Sequence, residues 1–157
     1  EYQVDVAKAP STEEAVYRES LEKYPDVQLL EGQTYSLLRQ AKAALVTSGT
    51  ATLETALFGV PEVVCYKGNP VSYWLAKRLV KVKYISLVNL ILDKPAVKEL
   101  IQQDFNPENL RQELYLLLAD EKRRKEILAD YQQLWGLLSE TNSSEKAAQK
   151  VIDLAQI

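Results

Sequence analysis

The chain has 157 residues, of which 46% are apolar and 26% charged, and a formal net charge of -3. This composition is typical of a globular domain, and its weakly acidic balance gives no electrostatic argument for nucleic-acid binding. The sequence contains no histidine and one cysteine, Cys65. These counts exclude an internal disulfide, a multi-cysteine metal site, and Ser-His-Asp or Cys-His catalysis within this chain.

The first half of the sequence alternates short apolar strands with helices. The predicted strands are Tyr2–Ala7, Val27–Leu30, Ala43–Val46 and Glu62–Tyr66. The predicted helices are Ser11–Tyr24, Gln33–Ala41 and a short helix that follows the loop Thr47–Thr50 and ends at Gly59. Ser11 and Glu14 have the spacing of a capping box, and Leu53, Leu57 and Phe58 are predicted to face the core. This alternation predicts an α/β fold with a Rossmann-like parallel sheet and flanking helices on both faces.

The second half is predicted to be mainly helical. Its predicted elements are a helix Val71–Val80, a strand Tyr84–Leu87, a short helix from Lys94 to Gln102, and helices Asn106–Leu118, Asp120–Leu138 and Glu145–Gln156. Asn106 followed by Pro107 is a typical helix start. The charge-rich helices of residues 106–157 are a helical extension, which either covers the sheet or packs against something outside this chain.

The segment Thr47–Thr50 links a predicted buried strand to a helix start. Hydroxyl and backbone N–H groups at such a position can hold a phosphate, but Ser or Thr there is also an ordinary helix cap. Glu54 lies one helical turn after Thr50, where its carboxylate could accept two hydrogen bonds from a sugar diol or simply face solvent. The segment is not a Walker A loop, because GxxxxGK[ST] is absent.

Two amides and one basic stretch are further candidates. Asn89 follows a predicted strand and offers both a donor and an acceptor, but it is also a common turn residue. Gln102 ends a predicted short helix, where a surface amide is the ordinary interpretation. The basic, aromatic stretch from Tyr73 to Tyr84 could meet anionic headgroups or phosphates, or pack its aromatic rings inward and leave its cations in solvent.

Five segments in succession resemble lipid-A-disaccharide synthases. They are SGTATLE at 48–54, VVCYK at 63–67, WLAKRLVK at 74–81, YISLVNL at 84–90 and VKELIQ at 97–102. Their order and spacing agree with that family from about Val27 to the end of the chain. The resemblance implies a GT-B glycosyltransferase, in which two Rossmann-like domains face each other across a cleft. Residues 1–157 resemble its C-terminal, UDP-sugar-binding domain without the first strand.

The resemblance also implies a reaction and a set of binding residues. The family transfers 2,3-diacylglucosamine from its UDP donor to 2,3-diacylglucosamine 1-phosphate (lipid X) with inversion, a step of lipid A biosynthesis in Gram-negative bacteria. The corresponding donor-binding positions are Ser48, Gly49, Thr50, Glu54, Asn89 and Gln102. The first three would face the diphosphate, Glu54 would hold the ribose hydroxyls, and the two amides would serve donor binding or activity. No metal or cofactor is implied.

The sequence departs from the family pattern in several respects. The acceptor domain with its expected Asp general base, and a Gly-Ser-Arg loop that grips the donor phosphates, are not in this sequence. We therefore expect an excised domain that binds donor without catalysing transfer, and we assign it no catalytic residue. Val88 stands where a proline often precedes the asparagine.

The resemblance implies a cytoplasmic enzyme, peripheral on the inner membrane, that meets its lipid substrate through the missing domain. The last helix, Glu145–Gln156, would lack its usual partner domain and could swap between copies, which would give a homodimer. Two alternatives remain open. One is half of a UDP-sugar epimerase, which the lack of histidine disfavours. The other is a non-catalytic module that binds a membrane or a protein partner.

Overall fold

The computed structural model describes residues 2–69, 83–139 and 143–155. The chain divides between Lys42 and Ala43 into two compact units. All described strands are parallel to their neighbours, and helices connect them. The predicted α/β class with parallel strands and flanking helices is therefore confirmed. The strands form two sheets rather than the single sheet that the alternation predicted.

The first unit is a small βαβα arrangement. Its elements are β1 (Asp5–Lys8), α1 (Glu14–Leu21), β2 (Gln28–Glu31) and α2 (Thr34–Gln40). The two strands pair in parallel from Asp5 opposite Gln28 to Lys8 opposite Glu31, so a crossover connection is required between them, and α1 supplies it. The side chains of the last pair in this register, Lys8 and Glu31, form an ion pair of 2.7 Å between Nζ and Oε1.

The second unit contains a three-stranded sheet covered by helices. Its elements are β3 (Ala44–Thr47), α3 (Thr50–Leu57), β4 (Glu62–Tyr66), α4 (Leu87–Leu92), β5 (Lys98–Ile101), α5 (Pro107–Ala119), α6 (Glu121–Ser139) and α7 (Ser143–Ala155). The strand order is β3-β4-β5. The central strand β4 is buried except at its last residue, as expected for a strand covered on both faces.

The core of this unit lies between β4 and the helices. Val63 and Val64 of β4 are fully buried. Helix α6 contributes Ile127, Tyr131 and Leu134, which have the i, i+4, i+7 spacing of one apolar helix face. Helix α5 packs on β4 and β5, and α6 packs on α3, α4 and α5. These two helices of the predicted extension therefore cover the sheet, whereas α7 leaves Val151, Ile152 and Leu154 exposed.

Two predicted elements around the second half of the sheet are wrong. The predicted strand Tyr84–Leu87 is instead an irregular segment that leads into α4 at Leu87. The Ser86 hydroxyl caps that helix by accepting a hydrogen bond of 3.2 Å from Asn89 N. The predicted short helix from Lys94 to Gln102 contains strand β5, which pairs with β4 from Val63 opposite Lys98 onward. Pairing with a distant strand overrides the local pattern there.

The predicted cap of α1 is also wrong, and the predicted core face of α3 is right only at Leu53. Helix α1 begins at Glu14 without a side-chain cap, so Ser11 caps nothing. In α3 the fully buried residues are Thr52, Thr55 and Ala56. Leu53 packs against the core as predicted, whereas Phe58 is 37% exposed. The two threonines tolerate burial because their hydroxyls donate back to Gly49 O and Ala51 O, both at 2.8 Å, so neither threonine hydroxyl is left unpaired.

Of the other predictions for the second half of the sequence, one is confirmed and one lies outside the described residues. The Asn106 cap is confirmed, since its side chain accepts from Asn109 N at 3.0 Å and Pro107 follows it. The predicted helix Val71–Val80 lies outside the described residues. Over the described ranges, no helix has both the length and the apolar character needed to cross a bilayer.

A buried acid lies at the start of β4. Glu62 is 0% exposed, and neither of its carboxylate oxygens has a hydrogen-bond partner among the described residues. The nearby Tyr131 hydroxyl donates to Val60 O instead, at 3.2 Å. Burial without a partner disfavours the charged form and raises the pKa of Glu62 to about 9. Glu62 is therefore neutral in the folded chain at pH 7.

We expect the free energy of unfolding to fall as the pH rises from about 5 to 9. The unfolded chain loses the Glu62 proton near its ordinary pKa of 4.5, whereas the folded chain keeps it until about 9. Since the folded state then binds more protons, stability decreases with pH, by up to about 1.4 kcal/mol per pH unit. Glu62→Gln should flatten this slope and raise the unfolding midpoint at pH 8, measured by urea denaturation.

The matched control is Glu121→Gln, because Glu121 is a solvent-exposed carboxylate on α6 of the same unit. It should keep the wild-type slope. An equal slope in wild type and Glu62→Gln would contradict the buried, neutral state of Glu62.

Candidate functional site

The carboxyl ends of β3, β4 and β5 meet at one edge of the sheet, because the three strands are parallel. The residues that follow them directly are Ser48, Lys67 and Gln102. Ser48 N donates to Cys65 O at 3.3 Å, and Gln102 N donates to Tyr66 O at 2.8 Å. Ser48 and Gln102 therefore flank the end of β4, two strand spacings or about 10 Å apart.

The turn from β3 to α3 presents an uncapped helix N-terminus at this edge. Gly49 has φ 151° and ψ -162°, a conformation that residues with a Cβ rarely adopt. No side chain caps the helix that starts at Thr50. The first backbone N–H groups of α3 have no acceptor within the helix, and the positive end of its dipole lies there. This turn can therefore bind an anion, as its sequence predicted.

The hydroxyls of Ser48 and Thr50 differ in what they can offer. Ser48 Oγ donates to Ile85 O at 2.9 Å. Since a hydroxyl carries one hydrogen, Ser48 in this arrangement can accept from a ligand but cannot donate to a phosphate oxygen. Thr50 is exposed at the first position of α3. Its hydroxyl is therefore the better candidate donor of the two.

Glu54 lies half-buried on α3, four residues after Thr50. Residues four apart share one side of a helix, so Glu54 lies one turn further along the side that carries Thr50. Its carboxylate makes no hydrogen bond or ion pair with the described residues and is open to a ligand with two adjacent hydroxyls.

Gln102, which directly follows β5, has both an unfavourable backbone conformation and an unsatisfied side-chain amide. Its φ is 54°, in the left-handed region that a long side chain seldom occupies. Its Nε2 is buried and has no hydrogen-bond acceptor among the described residues. Strained and unsatisfied groups concentrate at functional sites, and this amide has the right chemistry to donate to a ligand oxygen.

Asn89 lies in the interior rather than at the sheet edge. It is 1% exposed. Its Nδ2 donates to Val97 O and to Glu99 Oε1, both at 2.9 Å, and its Oδ1 accepts from Val97 N at 2.9 Å. Both amide hydrogens are thus used, and the side chain ties α4 to the start of β5. Its predicted part in donor binding stays a prediction, and direct contact would require these bonds to break.

Two residues of this region were missed at the level of sequence. Lys67 is exposed directly after β4, between Ser48 and Gln102, and its place after a buried parallel strand was a signal that could have identified it. Glu99 accepts hydrogen bonds from Ile85 N and Ser86 N at 3.0 and 2.9 Å. Its segment was interpreted as a helix, and no local pattern reveals such long-range contacts.

Other candidates contribute less. The basic stretch from Tyr73 to Tyr84 falls mostly outside the described residues, and its described member Lys83 forms an exposed ion pair of 3.1 Å with Asp93. Within the part of the chain that the structure describes, no cluster of three or more His, Cys, Asp or Glu side chains could hold a metal ion.

Comparison with known proteins identifies relatives over nearly the whole chain. The family model of lipid-A-disaccharide synthetase matches residues 2–153. The chain is 46% identical over 132 residues to the lipid-A-disaccharide synthase of Haemophilus ducreyi, covering 82% of this chain and 34% of that protein. It is 41% identical over 130 residues to that of Syntrophus aciditrophicus, covering 83% and 34%, and 40% identical over 146 residues to that of Salmonella paratyphi B, covering 88% and 38%.

The chain thus spans about a third of the length of these curated relatives. The family model matches far more than half of it. The motif at 48–54 follows β3 and the motif at 97–102 contains β5, which are the two strands that flank β4. This chain belongs to the lipid-A-disaccharide synthetase family.

Proposed function

We propose that this chain is the donor-binding part of a lipid A disaccharide synthase, a glycosyltransferase of lipid A biosynthesis. Its ligand is the UDP-2,3-diacylglucosamine donor, and the acceptor is 2,3-diacylglucosamine 1-phosphate. The observation that carries the proposal is the sheet edge at which an uncapped helix N-terminus, the carboxylate of Glu54 and the unsatisfied amide of Gln102 occur together. Family membership supports glycosyl transfer in lipid A biosynthesis.

Each part of a UDP-sugar finds a chemically suited group at this edge. The diphosphate accepts hydrogen bonds from the first N–H groups of α3 and from the Thr50 hydroxyl, and Lys67 adds a positive charge. The carboxylate of Glu54 accepts from the two ribose hydroxyls. Gln102 Nε2 donates to an oxygen of the donor, which removes the cost of leaving that amide buried and unpaired.

This arrangement helps the leaving group depart. When the acceptor hydroxyl attacks the anomeric carbon, the bond from that carbon to the β-phosphate oxygen breaks and negative charge grows on UDP. The N-terminus of α3 and Lys67 lie at the strand ends where we place the diphosphate, so they would stabilise that charge in the transition state without reorganisation. Inversion also requires a base for the acceptor hydroxyl, and we assign this role to a domain outside this sequence. The chain alone should therefore bind donor without turnover.

The same proposal extends to location and partners. The intact enzyme acts in the cytoplasm, peripherally on the inner membrane, since both of its substrates carry acyl chains, and it meets its lipid acceptor through the domain outside this sequence. The exposed apolar residues Val151 and Leu154 of α7 support a role for that helix in contact with the rest of the protein or with a second copy in a homodimer. Family membership supports the synthase over a UDP-sugar epimerase.

We expect UDP to shift the backbone amide signals of Gly49, Thr50 and Ala51 in an NMR titration of this chain. Glu54→Gln should weaken UDP binding about tenfold, because hydrogen bonds to a charged acceptor are lost. The same variant should bind 2′-deoxy-UDP nearly as well as wild type does, since that ligand already lacks one of the two hydroxyls.

Glu108→Gln is the matched control, because Glu108 is an exposed carboxylate at the start of α5 and pairs with Arg111. It should leave both affinities unchanged. If millimolar UDP moves no signal between residues 48 and 54, this chain has no donor site of its own and the proposal fails.

We expect Gln102→Asn to separate stability from binding. Asparagine tolerates the left-handed region better than glutamine, so the unfolding midpoint should stay equal or rise. The shorter side chain withdraws the amide from the ligand, and UDP affinity should fall severalfold. Thermal unfolding and the UDP titration measure the two effects. A variant that loses stability but keeps its affinity for UDP would assign Gln102 a structural role only.

A further inference from the structure

A half-buried carboxylate lies behind the anion-binding turn. Glu99 of β5 accepts hydrogen bonds from Ile85 N at 3.0 Å, from Ser86 N at 2.9 Å and from Asn89 Nδ2 at 2.9 Å. We propose that Glu99 is a positioning residue that fixes the Ser48 turn through the peptide unit between Ile85 and Ser86. This inference rests on the proposed function insofar as the turn binds the donor diphosphate.

The link from Glu99 to Ser48 is one rigid peptide plane. The carbonyl of Ile85 and the N–H of Ser86 belong to the same planar unit and point in opposite directions. The N–H end donates to Glu99 Oε1 at 2.9 Å, and the C=O end accepts from Ser48 Oγ at 2.9 Å. Holding one end of this plane therefore holds the other.

The negative charge of Glu99 strengthens the link. A carboxylate binds backbone N–H groups more strongly than a neutral acceptor does, and it polarises the peptide so that the Ile85 carbonyl becomes a better acceptor. The second bond, from Ile85 N, prevents the segment from rotating about the first. Glu99 thus acts on Ser48 without touching it.

The same hydrogen bonds give the buried Asn89 a supporting role, because Asn89 holds the Glu99 carboxylate in place. Its amide donates to Glu99 Oε1 and to Val97 O and accepts from Val97 N, which fixes the carboxylate relative to α4 and β5. Asn89 therefore supports the turn through Glu99 rather than by contact with the donor. Ser48, whose hydrogen is already used, orients the turn, while Thr50 and the backbone of α3 bind the anion.

The test is a double-mutant cycle on this chain, with UDP as the probe. Glu99→Gln removes the negative charge that holds Ser86 N and replaces the acceptor that faces Ile85 N by a donor, and Ser48→Ala removes the hydroxyl. Each should weaken UDP binding about tenfold. The double variant should be no weaker than the poorer single variant, because both changes break the same link. Ser48→Thr retains the hydroxyl and should bind UDP as wild type does.

Asp130→Asn controls for a general loss of stability. Asp130 is a partly buried carboxylate on α6 of the same unit, and it forms a 2.6 Å ion pair with Lys94, which follows α4. This variant should unfold more easily yet bind UDP within about twofold of wild type. Equal losses of affinity in Asp130→Asn and Glu99→Gln, or additive losses in the Glu99→Gln and Ser48→Ala cycle, would overturn the positioning role.

A second readout does not depend on UDP. In the free chain, Glu99→Gln and Ser48→Ala should shift the amide signals of Gly49 and Thr50 in the same direction, whereas Asp130→Asn leaves them in place. Unchanged signals in Glu99→Gln would overturn the inference even if UDP binds. If wild type fails to bind UDP but these shifts appear, the proposed function fails and the positioning network stands.

A third measurement needs no variant and remains decisive if Glu99→Gln does not fold. In the wild-type chain, a scalar coupling across the hydrogen bond should connect the amide nitrogen of Ser86 to the side-chain carboxyl carbon of Glu99. Absence of this coupling, with and without UDP, would refute the link on which the inference depends.

Discussion

The hydrogen-bond ladder on both sides of β4 is the constraint on which the second unit depends. It sets Val63 opposite both Leu45 and Lys98, and this register brings the ends of β3 and β5 to the same edge. The turn at Ser48 and the strained Gln102 are anchored there by bonds to consecutive carbonyls of β4, those of Cys65 and Tyr66. A slip of one residue would turn every side chain to the opposite face of the sheet and would separate the groups that the site combines.

The polar groups near this edge fall into two classes that perform different work. Ser48, Asn89 and Glu99 are engaged with one another or with the backbone, and they give the turn a fixed shape. Thr50 and Glu54 are open to a ligand. Such a division is what preorganisation requires, since binding groups gain precision when their supports are already satisfied. In the proposed function, the same division lets Asn89 support donor binding through Glu99 without direct contact.

Local signals predicted one part of this molecule and long-range contacts decided the rest. Strand β4, the Asn106 cap and the turn between β3 and α3 were all identified from neighbouring residues, and the structure contains each of them. Strand β5 was mistaken for a helix, because four residues carry too little periodicity and their partner lies some 35 positions earlier, as in the pair of Val63 and Lys98. Glu99 escaped notice for the same reason.

The two unpaired polar groups at opposite ends of the sheet differ in how their burial can be compensated. Glu62 at the start of β4 and the Nε2 of Gln102 after β5 both lack a partner among the described residues. Glu62 is enclosed by the core and relieves its burial by remaining protonated, so its cost is one of stability alone. An amide cannot take up a proton in this way, and a ligand oxygen at the strand ends would satisfy it. Because that gain exists only in the folded chain, ligand binding should also stabilise the end of β5.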